Sequence, residues 1–457
     1  MKKLIVLLLA AGCGWNVIAQ TTNAGAALPA WLTRPLSLAD SLNLALQQNA
    51  TILKARNDLE ASMGIVVQTR AVALPQVQAN GQYKATEPAA IESFSTNFPS
   101  QPHQNWNAGI QIVQTIYDGG RLGAALKAAG ATKKQAVAQF QAVRDDTLLA
   151  VRLAYYDVLL AAQEITVNEA SVNLLQKELD DQQRRYDAGT VPKLNVLRAE
   201  VALANQRPAL IQARNNYRIA KNNLCNLLGY NLPRDVWEDI PLNLTDVLDA
   251  APYQVDVPTA IQQALGRRTE LIALRQTVEL QRLNVVNARA GAKPTLQAFA
   301  GYNWYNAQFS APVTLDHDIH GWNAGGQLSW SIFDGMLTRG KIAEARANYN
   351  KAKTDVDDRA RQIELEVRTA YSDFIKARET LESQLKVQEE AEEALREAGA
   401  RAEAGTGTQL DVLDAQTSLT QARTTQVQAL HDYDTARARL ERAIGAEMMQ
   451  GAAPAKP

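Results

Sequence analysis

The chain contains itself twice. Val151-Arg152-Leu153-Ala154-Tyr155-Tyr156-Asp157 returns as Val367-Arg368-Thr369-Ala370-Tyr371-Ser372-Asp373, an offset of 216. The same offset carries Trp106-Asn107-Ala108-Gly109 onto Trp322-Asn323-Ala324-Gly325, Tyr117-Asp118-Gly119 onto Phe333-Asp334-Gly335, and Gly189-Thr190 onto Gly405-Thr406, without a gap from Trp106 to Gly229. Upstream the offset is 219, pairing Pro75, Gln78, Ala79 and Tyr83 with Pro294, Gln297, Ala298 and Tyr302. The small difference in offset falls after the tyrosines, where a variable loop belongs. So long a duplication restricts the fold to one architecture built from two like units.

Residues 1–19 read as an export signal: Lys2 and Lys3, an apolar run from Leu4 to Ala11, and small residues before Gln20. Leu9-Ala10-Ala11-Gly12-Cys13 offers a competing lipoprotein-type cut before Cys13. With the leader removed, Cys225 is the remaining thiol, set in the apolar run Leu224-Cys225-Asn226-Leu227-Leu228 as a small core hydrophobe. A net charge of −1, from 47 basic and 48 acidic residues, argues against a nucleic-acid partner. Beyond the leader no apolar run approaches the ~18 residues of a membrane helix, which leaves a β-barrel as the available membrane form.

Each copy reads as helix, strand, strand, very long helix, turn, long helix. After an N-terminal segment (20–37), repeat one covers 38–230, a proline-rich connector 231–257, repeat two 258–445 and a short tail 446–457. The first helix begins near Leu38 and ends before Leu74; Leu42, Ala45 and Ile52 are matched by Ile261, Ala264 and Leu271. The helical hairpins span 121–229 and 337–445. A helix from Arg121 to Ala188 is roughly 100 Å long and needs neighbours along its whole length. Val151, Val158, Ile165, Val172 and Leu179 recur every seven residues to supply them. Gln388 interrupts the matching stripe of copy two, consistent with a bundle open to water on one side. Gly189 and Gly405 are placed to end the long helices in the left-handed conformation, and Pro208 should bend the return helix of copy one.

Strands are expected over 76–85, 106–117, 295–305 and 322–333. In the second, Trp106, Ala108, Ile110, Ile112 and Ile116 alternate with Asn107, Gly109, Gln111 and Thr115; in the fourth, Trp322, Ala324, Leu328, Trp330 and Ile332 alternate with Asn323, Gln327, Ser329 and Ser331. These lengths suit tilted strands crossing a bilayer, with aromatic residues near the ends as at membrane interfaces. A soluble sheet with one wet face shares the alternation, but the Gln- and Asn-rich face and the export signal favour a water-filled barrel. Four strands cannot close one and lipid tolerates no open edge, so several copies must share it. Two, three or four copies all satisfy that geometry.

The duplicated unit, the turn Ala404-Gly405-Thr406-Gly407-Thr408-Gln409-Leu410-Asp411-Val412-Leu413-Asp414-Ala415 and the Tyr-Asp-Gly and Phe-Asp-Gly strand exits together resemble the outer membrane efflux proteins, the TolC-like channels. The resemblance spans Leu38 to Gly445. It implies an α+β membrane protein in the cell outer membrane: a homotrimer with one shared twelve-stranded barrel continuing into a helical coiled-coil tunnel through the periplasm. It also implies a periplasmic adaptor (membrane fusion) protein and an inner-membrane transporter as partners, in efflux or type I secretion. The tip turns at Gly189, Thr190, Gly405 and Thr406 become the adaptor-docking positions, and Asp411 and Asp414 the acids that narrow the channel.

Three apart on a helix, Asp411 and Asp414 share a face, and repeated about an axis they would attract cations. Thr408 and Asp411 also form a capping-box pattern, which accounts for Asp411 but not Asp414. The matching residues of copy one are Asn195 and Arg198, so the two hairpins differ at the tip. Asp316-His317-Asp318-Ile319-His320 and His103 are placed in inter-strand loops. No nucleophile elbow, phosphate loop or paired-cysteine motif is present; no enzymatic activity, cofactor or metal is expected. A periplasmic coiled-coil tether without a pore would explain the helices but not the amphipathic strands.

Overall fold

The computed structural model describes residues 31–32, 34–87, 104–230, 240–309 and 315–446. Residues 1–19, where a leader is expected, with Cys13, together with His103, the first part of the proline-rich connector (231–239) and the residues after Ala446, lie outside that set.

The helices of the two repeats match in length to within one residue. Copy one opens with α1 (Leu38–Gln48) and α2 (Ala50–Ala71); copy two opens with α5 (Val257–Arg267) and α6 (Thr269–Ala290). One continuous helix was expected over the first of these segments, and the break at Asn49 corrects that. Asn49 is extended (φ −62°, ψ 125°), and its Oδ1 accepts the N–H groups of Thr51 and Ile52, capping α2. Its Nδ2 donates to Leu227 O at 2.6 Å. The equivalent Arg268 breaks the second segment with nearly the same backbone angles, and its Nη1 donates to Ala443 O at 3.3 Å, the repeat-equivalent carbonyl. Both breaks therefore turn the chain against the end of a return helix.

The long helices α3 (Arg121–Asp187) and α7 (Leu337–Glu403) have 67 residues each. They return through α4 (Lys193–Leu227) and α8 (Gln409–Ile444). Pro208 lies inside α4 without ending it. α3 packs on α1, α2, α4, α6 and α8, whereas α7 packs on α5, α6 and α8. Beyond Leu381, α7 buries no residue to its end at Glu403, while the matching part of α3 buries Ser171, Leu175 and Gln182.

The core lies where the helices meet the connector. Leu148, Val151, Tyr155, Leu224 and Leu228 pack in one cluster, and Ile363, Val367, Phe374, Tyr433 and Leu440 in its counterpart. A two-residue strand β1 (Pro35–Leu36) pairs in parallel with β4 (Asn243–Leu244). Tyr155 Oη donates to Asp246 Oδ2 at 2.9 Å, and Leu38 N–H donates to the same oxygen at 2.8 Å, so the connector is tied to both α1 and α3. Charged side chains are buried here too. Arg152 meets Glu441, and Arg442 bridges Asp146 and Glu270, joining α3, α6 and α8.

At the other end of the long helices, β2 (Gln76–Ala85), β3 (Gln104–Tyr117), β5 (Thr295–Phe309) and β6 (Leu315–Ser329) form an antiparallel sheet in the order β2-β3-β5-β6. Two expectations are corrected. The alternation predicts a fourth strand over 322–333, but β6 ends at Ser329, opposite Thr295 where β5 begins, so Trp330 and Ile332 have no ladder partner among the described residues of this chain. The segment with Asp318, Ile319 and His320 is strand rather than loop, with His320 opposite Trp304. A bulge at Ile116 also takes that residue out of the alternation of β3.

Candidate functional site: a two-faced sheet and a helical tip

The ladder register sorts the sheet into two chemically opposed faces. Rows across one face read Val77, Ile112, Ala300 and Ala324, then Ala79, Ile110, Tyr302 and Trp322, then Gly81, Ala108, Trp304 and His320. The other face reads Gln78, Gln111, Gly301 and Asn323, then Asn80, Gly109, Asn303 and Gly321. The large apolar side chains stand open to solvent: Trp322 is 80% exposed and Leu328 68%. An apolar face this extensive needs a non-aqueous neighbour. Tyr302, Trp304 and His320 cluster toward the β5–β6 turn, with Tyr302 Oη and His320 Nδ1 2.8 Å apart. On the polar face Asn303 Nδ2 donates to Asn323 Oδ1 at 3.1 Å. Gly109 leaves room between Asn80 and Asn303, whose side-chain oxygens a Cβ there would meet.

The opposite end is built by two turns of one design. Gly189 (φ 74°) and Gly405 (φ 73°) take the left-handed conformation, and the following threonine closes the helix. Thr190 N–H donates to Arg185 O and Thr406 N–H to Arg401 O, each at 2.9 Å. All four turn residues are exposed. Thr408 then caps α8: its Oγ1 accepts Asp411 N–H, and Asp411 Oδ2 accepts Thr408 N–H at 2.8 Å in return. The Thr408 N–H and hydroxyl hold the Asp411 carboxyl below its ordinary value, so it is ionised at neutral pH. Asp411 and Asp414 are both exposed on the first turns of α8, and Asp414 takes no part in the cap.

The hairpins touch at the tip through a residue that periodicity alone did not single out. Gln409 Nε2 donates to Asn195 O at 3.0 Å, joining the first turns of α8 and α4. Gln409, Gln416 and Gln182 are buried, and the Oε1 atom of each lacks a hydrogen-bond partner among the described residues. Their spacing carried a sign of this: Gln182 stands seven after Leu175, and Gln416 seven after Gln409, at stripe positions where apolar side chains are the rule. Beside them lies a groove of about 720 Å³ lined by Leu194, Leu197, Val201 and Leu410.

The family model for outer membrane efflux proteins matches residues 41–230 and 260–446, one match per repeat. The chain belongs to the outer membrane efflux protein family. Outer membrane protein TolC of Escherichia coli (strain K12) is 24% identical over 429 residues, covering 90% of this chain and 83% of that protein. The alkaline protease secretion protein AprF of Pseudomonas aeruginosa is 23% identical, covering 89% and 83%. Among solved structures, the outer membrane protein VceC from Vibrio cholerae superposes with a TM-score of 0.74 at 20% identity, over 90% of this chain and 96% of that one. This efflux protein is therefore an outer membrane channel of the TolC type whose helices extend into the periplasm. Among the described residues no group of three or more His, Cys, Asp or Glu is placed to hold a metal.

Proposed function

We propose that three copies of this efflux protein close one barrel, four strands from each. The barrel would continue into a helical duct that conducts substrate from an inner-membrane transporter, through a periplasmic adaptor, to the outside. The observation that carries this is the two-faced sheet with both edges, β2 and β6, unpaired among the described residues. Lipid permits a sheet only if its edges are closed, and one face is apolar where the other is lined with amides. Asp411 and Asp414 would form the narrowest ring at the periplasmic entrance. Partnerless oxygens on Gln182, Gln409 and Gln416 would regain water if α3 and α8 parted, which favours a tip able to open. The turns at Gly189-Thr190 and Gly405-Thr406, with the adjoining leucine-lined groove, supply the adaptor's docking surface.

The substrate class follows from the transporter rather than from the duct. The test is to extract the protein in detergent, measure its oligomer mass and reconstitute it in planar bilayers. A trimer with discrete conductance steps is expected; a stable monomer recovered without detergent would leave only a periplasmic tether.

A further inference from the structure

The internal repeat assigns the seam between neighbouring copies. Within the chain, β3 of copy one pairs with β5 of copy two: Ile112 with Ala300, Gln114 with Ala298, Thr115 with Gln297 and, past a bulge at Ile116, Tyr117 with Leu296. By the two offsets of the duplication, β6 is the repeat-equivalent of β3, and β2 is that of β5. We infer that β6 of one copy continues to Phe333 and pairs with β2 of the next in the same register: Leu328 with Gly81, Trp330 with Ala79, Ser331 with Gln78 and Phe333 with Val77, with a bulge at Ile332. This inference rests on the shared barrel proposed above and specifies how its copies join.

Four observations not used to build the register agree with it. Each inferred pair joins like faces: Leu328, Trp330 and Phe333 fall on the apolar side with Gly81, Ala79 and Val77, and Ser331 falls on the amide side with Gln78. The segment with no ladder partner among the described residues holds large apolar side chains open to solvent, with Ile332 85%, Phe333 78% and Trp330 57% exposed.

The helices below carry the same relation. α3 meets α6 through Gln135 Nε2, which donates to Thr277 Oγ1 at 3.1 Å, and the repeat turns this pair into Lys351 on α7 and Asp58 on α2 of the adjoining copy. A neutral hydrogen bond inside the chain becomes an opposite-charge pair between chains, and both residues are exposed here. Gly119 likewise lies against Ala290 and Lys293, whereas its equivalent Gly335 faces open space. Ala71 and Leu74 of the next copy, the counterparts of Ala290 and Lys293, would fill it; Leu74 is 62% exposed.

Cysteine pairs read the register. Ser331→Cys combined with Gln78→Cys should form an inter-subunit disulfide under a mild thiol oxidant. Its yield should exceed that of Ser331→Cys with Gln76→Cys or Asn80→Cys by roughly tenfold, because a two-residue slip puts the Cα atoms beyond the ~7 Å a disulfide can bridge. Equal or higher yield at a slipped pair, or none at any pair in intact oligomers, overturns the inference and leaves the shared barrel standing. An unmodified protein that stays monomeric removes both. Should the cysteine variants fail to assemble, charge reversal decides. Asp58→Lys should lower the fraction of oligomer surviving mild heating in detergent, and Asp58→Lys with Lys351→Asp should restore it; a double variant no better than the single one overturns the seam.

Discussion

Arg152 Nη1 lies 2.5 Å from Glu441 Oε2, and the two side chains are only 3% and 11% exposed. They belong to different repeats, so a buried ion pair fastens α3 of the first hairpin to α8 of the second. Arg437 Nε supplies a second bond to Glu441 Oε1 at 3.0 Å. Glu441→Ala leaves Arg152 charged and uncompensated, a change that costs about 3–5 kcal/mol in buried pairs. Replacing both partners with Met should cost less than the single change. Thermal unfolding in detergent, followed by circular dichroism, measures both; a double variant less stable than the single one would show that the pair does not act as a unit.

Asp434 sets a pH dependence. Burial pushes its carboxyl up to about 6, against the Asp249 N–H and the charges of Arg437 and Arg152. A raised carboxyl penalises the folded state when ionised, so the penalty is absent below pH 3.8 and complete above pH 6. Asp434→Asn keeps an acceptor for Asp249 N–H and removes the charge. It should stabilise the protein near neutral pH, by on the order of 1–3 kcal/mol, and do nothing near pH 4. Equal effects at both pH values would refute the assignment.

Ile112 sits in the row Val77, Ile112, Ala300 and Ala324, well inside the apolar face. Ile112→Arg should cost about 2–4 kcal/mol if that row lies near the bilayer midplane, and the variant should accumulate unassembled in the periplasm. Gln111→Arg, one residue away on the amide face, should assemble normally. Fractionation of the two variants side by side checks the orientation, and equal assembly would reverse or abolish it.

Replacing Asp411 and Asp414 together with Ala should raise conductance and weaken cation selectivity while leaving the oligomer intact, since exposed charges contribute little to folding. The effect should shrink with salt as the Debye length falls from ~10 Å at 0.1 M to ~3 Å at 1 M. Asp411 alone also loses its cap to Thr408, so a lower melting temperature is expected for Asp411→Ala than for Asp414→Ala. Unchanged conductance at low salt would confine Asp411 to capping.

The alternation of Trp106, Ala108, Ile110 and Ile112 made the faces of the sheet readable, because one period-2 pattern survives whatever the strand pairs with. Strand ends did not survive in that way. Trp330 and Ile332 continue the alternation, yet β6 stops at Ser329 because a strand needs a neighbour as well as a pattern. The break at Asn49 was hidden because apolar residues on either side keep a helical spacing, and its cause, the carbonyl of Leu227, is distant in sequence. Arg152 and Glu441 were equally hidden: a charge beside the Val151 stripe reads as a solvated edge until another helix covers it. At the tip, the Thr408–Asp411 cap is a local pattern and was legible, whereas the contact of Gln409 with Asn195 depends on how two hairpins lean together.

The equal 67-residue lengths of α3 and α7 make the chain a calibrated ruler. Every position added to a helix lengthens it and rotates all that follows by more than a quarter turn. A single insertion in α3 alone would therefore leave its turn out of level with that of α7 and swing every later contact onto a new face. The reach of the duct can change only in concert, by whole heptads gained or lost in both outgoing and both returning helices. Removing one heptad from all four should shorten the span by about 10 Å and leave an assembled protein that no longer reaches the adaptor proposed above.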